Sequence, residues 1–148
     1  MTVRRISVAA LLALLVGLGA ACGLLDSEVP TAEVGECITN DVSGAGTVEE
    51  FDTVDCTETH SAELFFKFDL PDGDFPGTEE ISSAVQEQCY GSEFEDYVGL
   101  DYPSSEIEVY TVTPTEQTWN DADDREVLCF GANLDGTDLT ESIKGSAR

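Results

Sequence analysis

The stretch Ser61-Ala62-Glu63-Leu64-Phe65-Phe66-Lys67-Phe68 decides the fold. Ala62, Leu64, Phe66 and Phe68 alternate with Glu63, Phe65 and Lys67, and a period of two puts the first set on one side of a β-strand, where it is expected to face the core. Just downstream, Pro71, Gly73, Pro76 and Gly77 punctuate a loop. Thr78 then caps a helix predicted over 78–90, with Glu79 and Glu80 in the first turn, where the helix dipole favours anions, and Gly91 as the stop. Ile81, Val85 and Cys89 recur at i, i+4 and i+8 with Ala84 beside them, so Cys89 belongs to the buried stripe. A helical turn over 93–98 adds Phe94, Tyr97 and Val98. Residues 107–113 read as a second strand and 125–132 as a third, whose unbroken run Val127-Leu128-Cys129-Phe130 predicts burial on both faces. Upstream, 36–39 and 51–56 are short extended stretches around a polar, Gly-containing loop. These elements predict an α+β domain, a mainly antiparallel sheet with one principal helix packed on it, closed by two disulfides.

A chain of 148 residues, 41% of them hydrophobic, makes one small domain. Its formal net charge of -25 excludes a nucleic-acid footprint. At the N-terminus, Arg4 and Arg5 precede an uncharged run over 6–18 that ends in Gly19-Ala20-Ala21-Cys22. A basic start, a short apolar run and small residues before the cut read as a signal peptide, because the run falls short of the roughly 20 residues that span a bilayer. The segment resembles a bacterial lipobox, with Gly19 where leucine is commonest, and the resemblance implies that Cys22 becomes a lipidated N-terminal residue. An uncleaved anchor helix continuing through Leu24 and Leu25 is the competing reading. The expected layout is therefore 1–21 lipoprotein signal peptide, 22–34 lipid-anchored tether, reaching roughly 40 Å if extended, and 35–148 folded domain. The domain is expected on the outer face of the cytoplasmic membrane, held there by the N-terminal lipid.

Setting Cys22 aside leaves Cys37, Cys56, Cys89 and Cys129, an even set in an oxidising compartment. No two have the close C-x2-C spacing of a zinc ribbon, so disulfides are expected rather than metal. Four cysteines permit three pairings. Cys37 and Cys56 end two neighbouring extended stretches, and Cys89 on the helix's inner face can reach Cys129 on the central strand; those two pairings are predicted.

The single histidine, His60, stands just before the first strand. As a general base it needs a nucleophile in reach, and Ser61 points to the opposite side of a strand. The alternative is that a ring nitrogen bonds a backbone carbonyl and fixes the turn after Cys56. Asp121, Asp123 and Asp124 superficially suggest a Ca2+ loop but lack the glycine and the glutamate of an EF-hand, so a weak cation site competes with a solvated turn in which Asp124 sits beside Arg125. Trp119 serves either as a core anchor or as a platform for a sugar or peptide, with Tyr102 and Tyr110 as companions. No cofactor is expected, since no Gly-rich phosphate loop is present and the many anions repel a nucleotide.

Several blocks together resemble the bacterial septum formation domain family. They are Gly35-Glu36-Cys37, then Val54-Asp55-Cys56-Thr57-Glu58-Thr59-His60-Ser61-Ala62-Glu63-Leu64, then Cys89 with Tyr97-Val98-Gly99. The last third adds Val109-Tyr110, Pro114-Thr115-Glu116-Gln117-Thr118-Trp119 and Asp124-Arg125-Glu126-Val127-Leu128-Cys129. The resemblance covers residues 35–148. It implies exported or membrane-tethered proteins of high-GC Gram-positive bacteria with a link to cell division, and it carries over no catalytic residue. The expected role is a non-enzymatic interaction module that binds an envelope protein or cell-wall component, with the acidic surface favouring a basic partner. The rival class is an envelope cation-binding protein or wall hydrolase that uses the acidic loops.

Overall fold

In the computed structural model, which describes residues 29–44 and 50–148, the strands are β1 (Cys37–Ile38), β2 (Thr53–Val54), β3 (Ala62–Asp69), β4 (Ile107–Val112) and β5 (Glu126–Asn133). They form one sheet in the order β2-β1-β3-β5-β4, antiparallel at every pairing. The helices are α1 (Thr78–Cys89), α2 (Ser92–Val98) and α3 (Glu116–Asp121), with a 3-10 turn at Tyr102–Ser104. The α+β architecture is as expected, but the helical layer is shared rather than carried by one principal helix. Alongside Ile81, Val85 and Cys89 of α1, α2 buries Phe94 and Val98, and α3 buries Trp119. Residues 1–28, which include the stretch read as a signal peptide, Cys22 and most of the stretch read as a tether, lie outside the described residues.

The decisive strand departs from simple alternation. Leu64 pairs with Phe130 and Phe66 with the adjacent Cys129, so Phe65 is an extra residue, a β-bulge. The bulge reverses the alternation. Ala62 and Leu64 face one side of the sheet with Ile38, Phe51, Leu128 and Phe130. Phe66 and Phe68 turn to the helical side, where Phe65 is already buried with Phe94, Cys129 and Trp119. The four residues expected on one face are thus divided between two. Both faces are covered, and β5 is buried along six consecutive positions as its apolar run predicts. On the side away from the helices the cover is loop: the Phe51 ring packs tilted against Phe130 with centroids 5.2 Å apart, and Ala32, in the stretch read as tether, is buried. Lys67 fastens that stretch, donating to the Ala32 carbonyl at 3.0 Å and pairing with Glu33 and Glu126 at 3.2 and 3.3 Å.

Local chemistry explains where the helices begin. Thr78 is the first helical residue of α1, not its cap; Gly77 occupies the cap position without a side-chain bond, and the dipole meets Glu79 and Glu80. α3 is short but closed by a capping box, in which the Thr115 hydroxyl accepts from the Thr118 amide and the Thr118 hydroxyl accepts from the Thr115 amide, both at 3.0 Å.

The C-terminal segment, to which sequence patterning assigned no element, straps the helical side. Leu139 and His60 exchange backbone hydrogen bonds at 2.8 and 3.0 Å. Ile143 is wholly buried, and the Gly145 and Ala147 amides donate to the Tyr97 and Val98 carbonyls. Its close seat depends on Gly131 of β5, where a Cβ would collide with Ile143 and Ile107. Among the described residues no helix is long and apolar enough to cross a membrane.

Candidate functional site

Two clusters of polar side chains are built into this frame. The first forms where β1, β3 and the C-terminal strap meet. Cys37 pairs across the ladder with Glu63, and their side chains project to the helical side. Cys37 is also bonded to Cys56. The Glu63 residue is 1% exposed, and its carboxylate accepts from the Tyr97 hydroxyl at 2.6 Å, the Ser142 hydroxyl at 2.8 Å and the Ile143 amide at 2.7 Å. A buried anion is tolerated when donors converge on it in this way. Burial, then the bond to Glu63 and its charge, push the Tyr97 phenol well above its ordinary range, so it remains a donor.

His60 stands beside this anion and is equally buried. Its Nδ1 lies 2.8 Å from the Glu58 carbonyl, which can only accept, so Nδ1 carries the proton and the ring fixes the turn that follows Cys56. Nε2 is buried without a hydrogen-bond partner. A ring nitrogen of His60, the Cys37 sulphur and a Glu63 oxygen come within 4.8 Å of one another, the one such group of His, Cys, Asp and Glu side chains among the described residues. With Cys37 in a disulfide and Glu63 already accepting three bonds, the group lacks the free ligands of a metal centre. Ser61 is not part of it; its hydroxyl donates to the Thr39 carbonyl at 3.1 Å.

The second cluster is Trp119 with Arg125. The indole is 2% exposed, donates from Nε1 to the Gly73 carbonyl at 3.0 Å and meets Phe75 edge-on. The Arg125 guanidinium covers the ring at 3.7 Å and donates to the Trp119 and Asp124 carbonyls at 3.1 and 2.9 Å. Tyr102 packs against Tyr90 and Phe94 instead, and Tyr110 lies on the sheet's other face, so the three rings form no common platform. Asp123 pairs with Arg125 at 2.9 Å, Asp124 accepts from the Glu126 amide at 3.2 Å, and Asp121 ends α3; the three do not converge on one point. Asp72 lies 3.7 Å from Arg125 Nε, too far for a hydrogen bond, which leaves that buried nitrogen unsatisfied.

Because Asp72 and Asp123 are almost fully exposed, their ion pairs contribute little, and the stack with its two carbonyl bonds dominates. Arg125→Lys removes the planar stack and the fork and is expected to cost about 1–2 kcal/mol. Thermal melts of both proteins at low and molar salt measure it. The loss should persist in salt; a loss that vanishes there would transfer the weight to the ion pairs.

Sequence patterning missed Glu63, reading it as one of the residues alternating with the core-facing set. The available signal was Phe65, at the same parity, which marks that side as covered too.

Taken together, the bulged antiparallel sheet, its helical layer and the two bridges, Cys37–Cys56 and Cys89–Cys129, define a small disulfide-closed α+β domain. The septum formation family matches residues 34–148, and the chain belongs to that family. No curated protein and no solved structure matches it. Family membership ties the protein to septum formation.

Proposed function

We propose that the protein is a lipid-anchored, extracytoplasmic and non-enzymatic interaction module that docks a basic envelope partner at the division site. The observation that carries this reading is the family match joined to the distribution of charge. Asp69, Asp72, Asp123, Asp124 and Glu126 surround a cleft of about 530 Å3 with Arg125 as its one cation, on a chain of net charge -25. A surface of one sign steers a partner of the other and repels a second copy. Anchoring rests on the Gly19-Ala20-Ala21-Cys22 sequence, which supplies the acylated cysteine.

The test is imaging, in dividing cells, of a fusion that keeps residues 1–34 and carries a reporter that fluoresces after export. Enrichment at the septum is expected, and it should disappear when the folded domain is removed. Cys22→Ala should release the protein from the membrane fraction. An even outline around the cell would retire the septal assignment, and membrane retention of Cys22→Ala would replace the lipid with an anchor helix.

A further inference from the structure

The two disulfides differ in surroundings. Cys89 and Cys129 are both wholly buried with no histidine beside them. Cys37 is also wholly buried, but its partner Cys56 is partly exposed, in the turn between β2 and His60. A thiolate from solvent can therefore meet Cys56 and not Cys37. At the buried end waits His60. Its backbone is bridged to Leu139 and its ring is held by the Nδ1–H bond to the Glu58 carbonyl, which leaves Nε2 as the nitrogen with a lone pair to give.

We propose that Cys37–Cys56 is an exchange-active disulfide, in which a small thiol attacks Cys56 and His60 is the proton partner of the departing Cys37 thiolate. The thiol ionises in solvent and its thiolate sulphur bonds to Cys56 Sγ, while a proton taken up from solvent by His60 Nε2 offsets the charge left on Cys37. The Cys56–Cys37 bond breaks, and its electron pair stays on Cys37. A second RSH then attacks the mixed disulfide, releasing RSSR and leaving two protein thiols, so two thiols are oxidised as one disulfide is reduced. No net charge is added to the buried site in the first step: the new thiolate is matched by the new imidazolium, with Glu63 beside both. An unpaired thiolate there would be costly, whereas one next to a histidinium is stabilised.

The flanking charge selects the thiol. Asp55 and Glu58 are exposed on either side of Cys56, so a cationic thiol is favoured over an anionic one. The Thr57 hydroxyl and amide hold the Asp55 carboxyl below its ordinary range, which keeps it charged.

Purified oxidised protein is treated with graded cysteamine or glutathione, quenched by alkylation and mapped by mass spectrometry. Cys37–Cys56 should open at thiol concentrations that leave Cys89–Cys129 closed, with the adduct on Cys56. Cysteamine should act faster than glutathione, by a margin that shrinks as salt rises. His60→Gln should slow the opening about tenfold or more without changing the circular dichroism. Adducts on Cys37, simultaneous opening of both bridges, equal rates for the two thiols, or an unchanged rate in a folded His60→Gln protein would each overturn the proposal. The adduct map of the unmutated protein decides the matter if that variant does not fold.

Discussion

Glu63→Ala is expected to remove about 4 kcal/mol of stability and to free the C-terminal strap. Three donors converge on this one carboxylate from two distant parts of the chain: Tyr97 on α2, and Ser142 with the Ile143 amide 79 and 80 residues away. A hydrogen bond to a charged group contributes roughly 1.5–3 kcal/mol, and donors left without an acceptor in a buried site add their desolvation cost. Of the three, the amide is the most severe case, because Ile143 is wholly buried and its backbone cannot turn toward water without withdrawing the side chain from the core. Small domains hold roughly 5–15 kcal/mol in total, so the variant should sit near the edge of folding. Glu63→Gln separates shape from charge. It keeps one acceptor oxygen but turns an NH2 group toward donors, and about half the loss is expected. Urea midpoints followed by Trp119 fluorescence, with hydrogen exchange at the Ile143 amide, measure both effects. If alanine costs less than about 1 kcal/mol and the amide stays protected, water replaces the carboxylate and Glu63 does not organise the strap.

Glu63 also marks the limit of what the sequence discloses. Cys89 was legible because a helical stripe and a two-sided apolar strand each point inward, and two buried cysteines on packed elements have few other partners. The bulge at Phe65 was not. Phe65 and Phe66 are the same residue type, so no change in polarity marks the extra residue, and alternation read straight through it places Phe66 and Phe68 with Leu64. Burial of Glu63 comes instead from a strap that has no periodicity of its own. Residues 133–148 are held by contacts to Glu63, Tyr97, Val98 and His60, all far away in sequence. Local pattern carries no information about such contacts. The site cluster was legible only in part: His60 as the residue that fixes the turn after Cys56 could be argued from position, whereas its neighbours Cys37 and Glu63 meet it only through strand pairing and register.

Complete reduction is expected to abolish the cooperative thermal transition. Cys37–Cys56 closes a separation of 19 residues and Cys89–Cys129 one of 40, for which chain-entropy estimates give about 3 and about 4 kcal/mol. Together they match most of the stability a domain of this size possesses. The two losses differ in kind. Cys89→Ala with Cys129→Ala also leaves a void between α1 and β5, where Val85, Trp119 and Val127 pack in the same cluster, so this pair should cost more than its loop alone predicts. Cys37→Ala with Cys56→Ala acts at the rim of the sheet, where β1 and β2 contribute only two residues each, and should leave the rest of the sheet folded. Stepwise reduction followed by circular dichroism thus has a definite order: a fall of roughly 10 °C in melting temperature as Cys37–Cys56 opens, then collapse when Cys89–Cys129 follows. A reduced and alkylated chain that kept its full transition would show that the packed core, not the cross-links, holds the domain. An early collapse would place Cys37–Cys56 within the minimal fold, and opening it would then be an unfolding event instead of a local exchange.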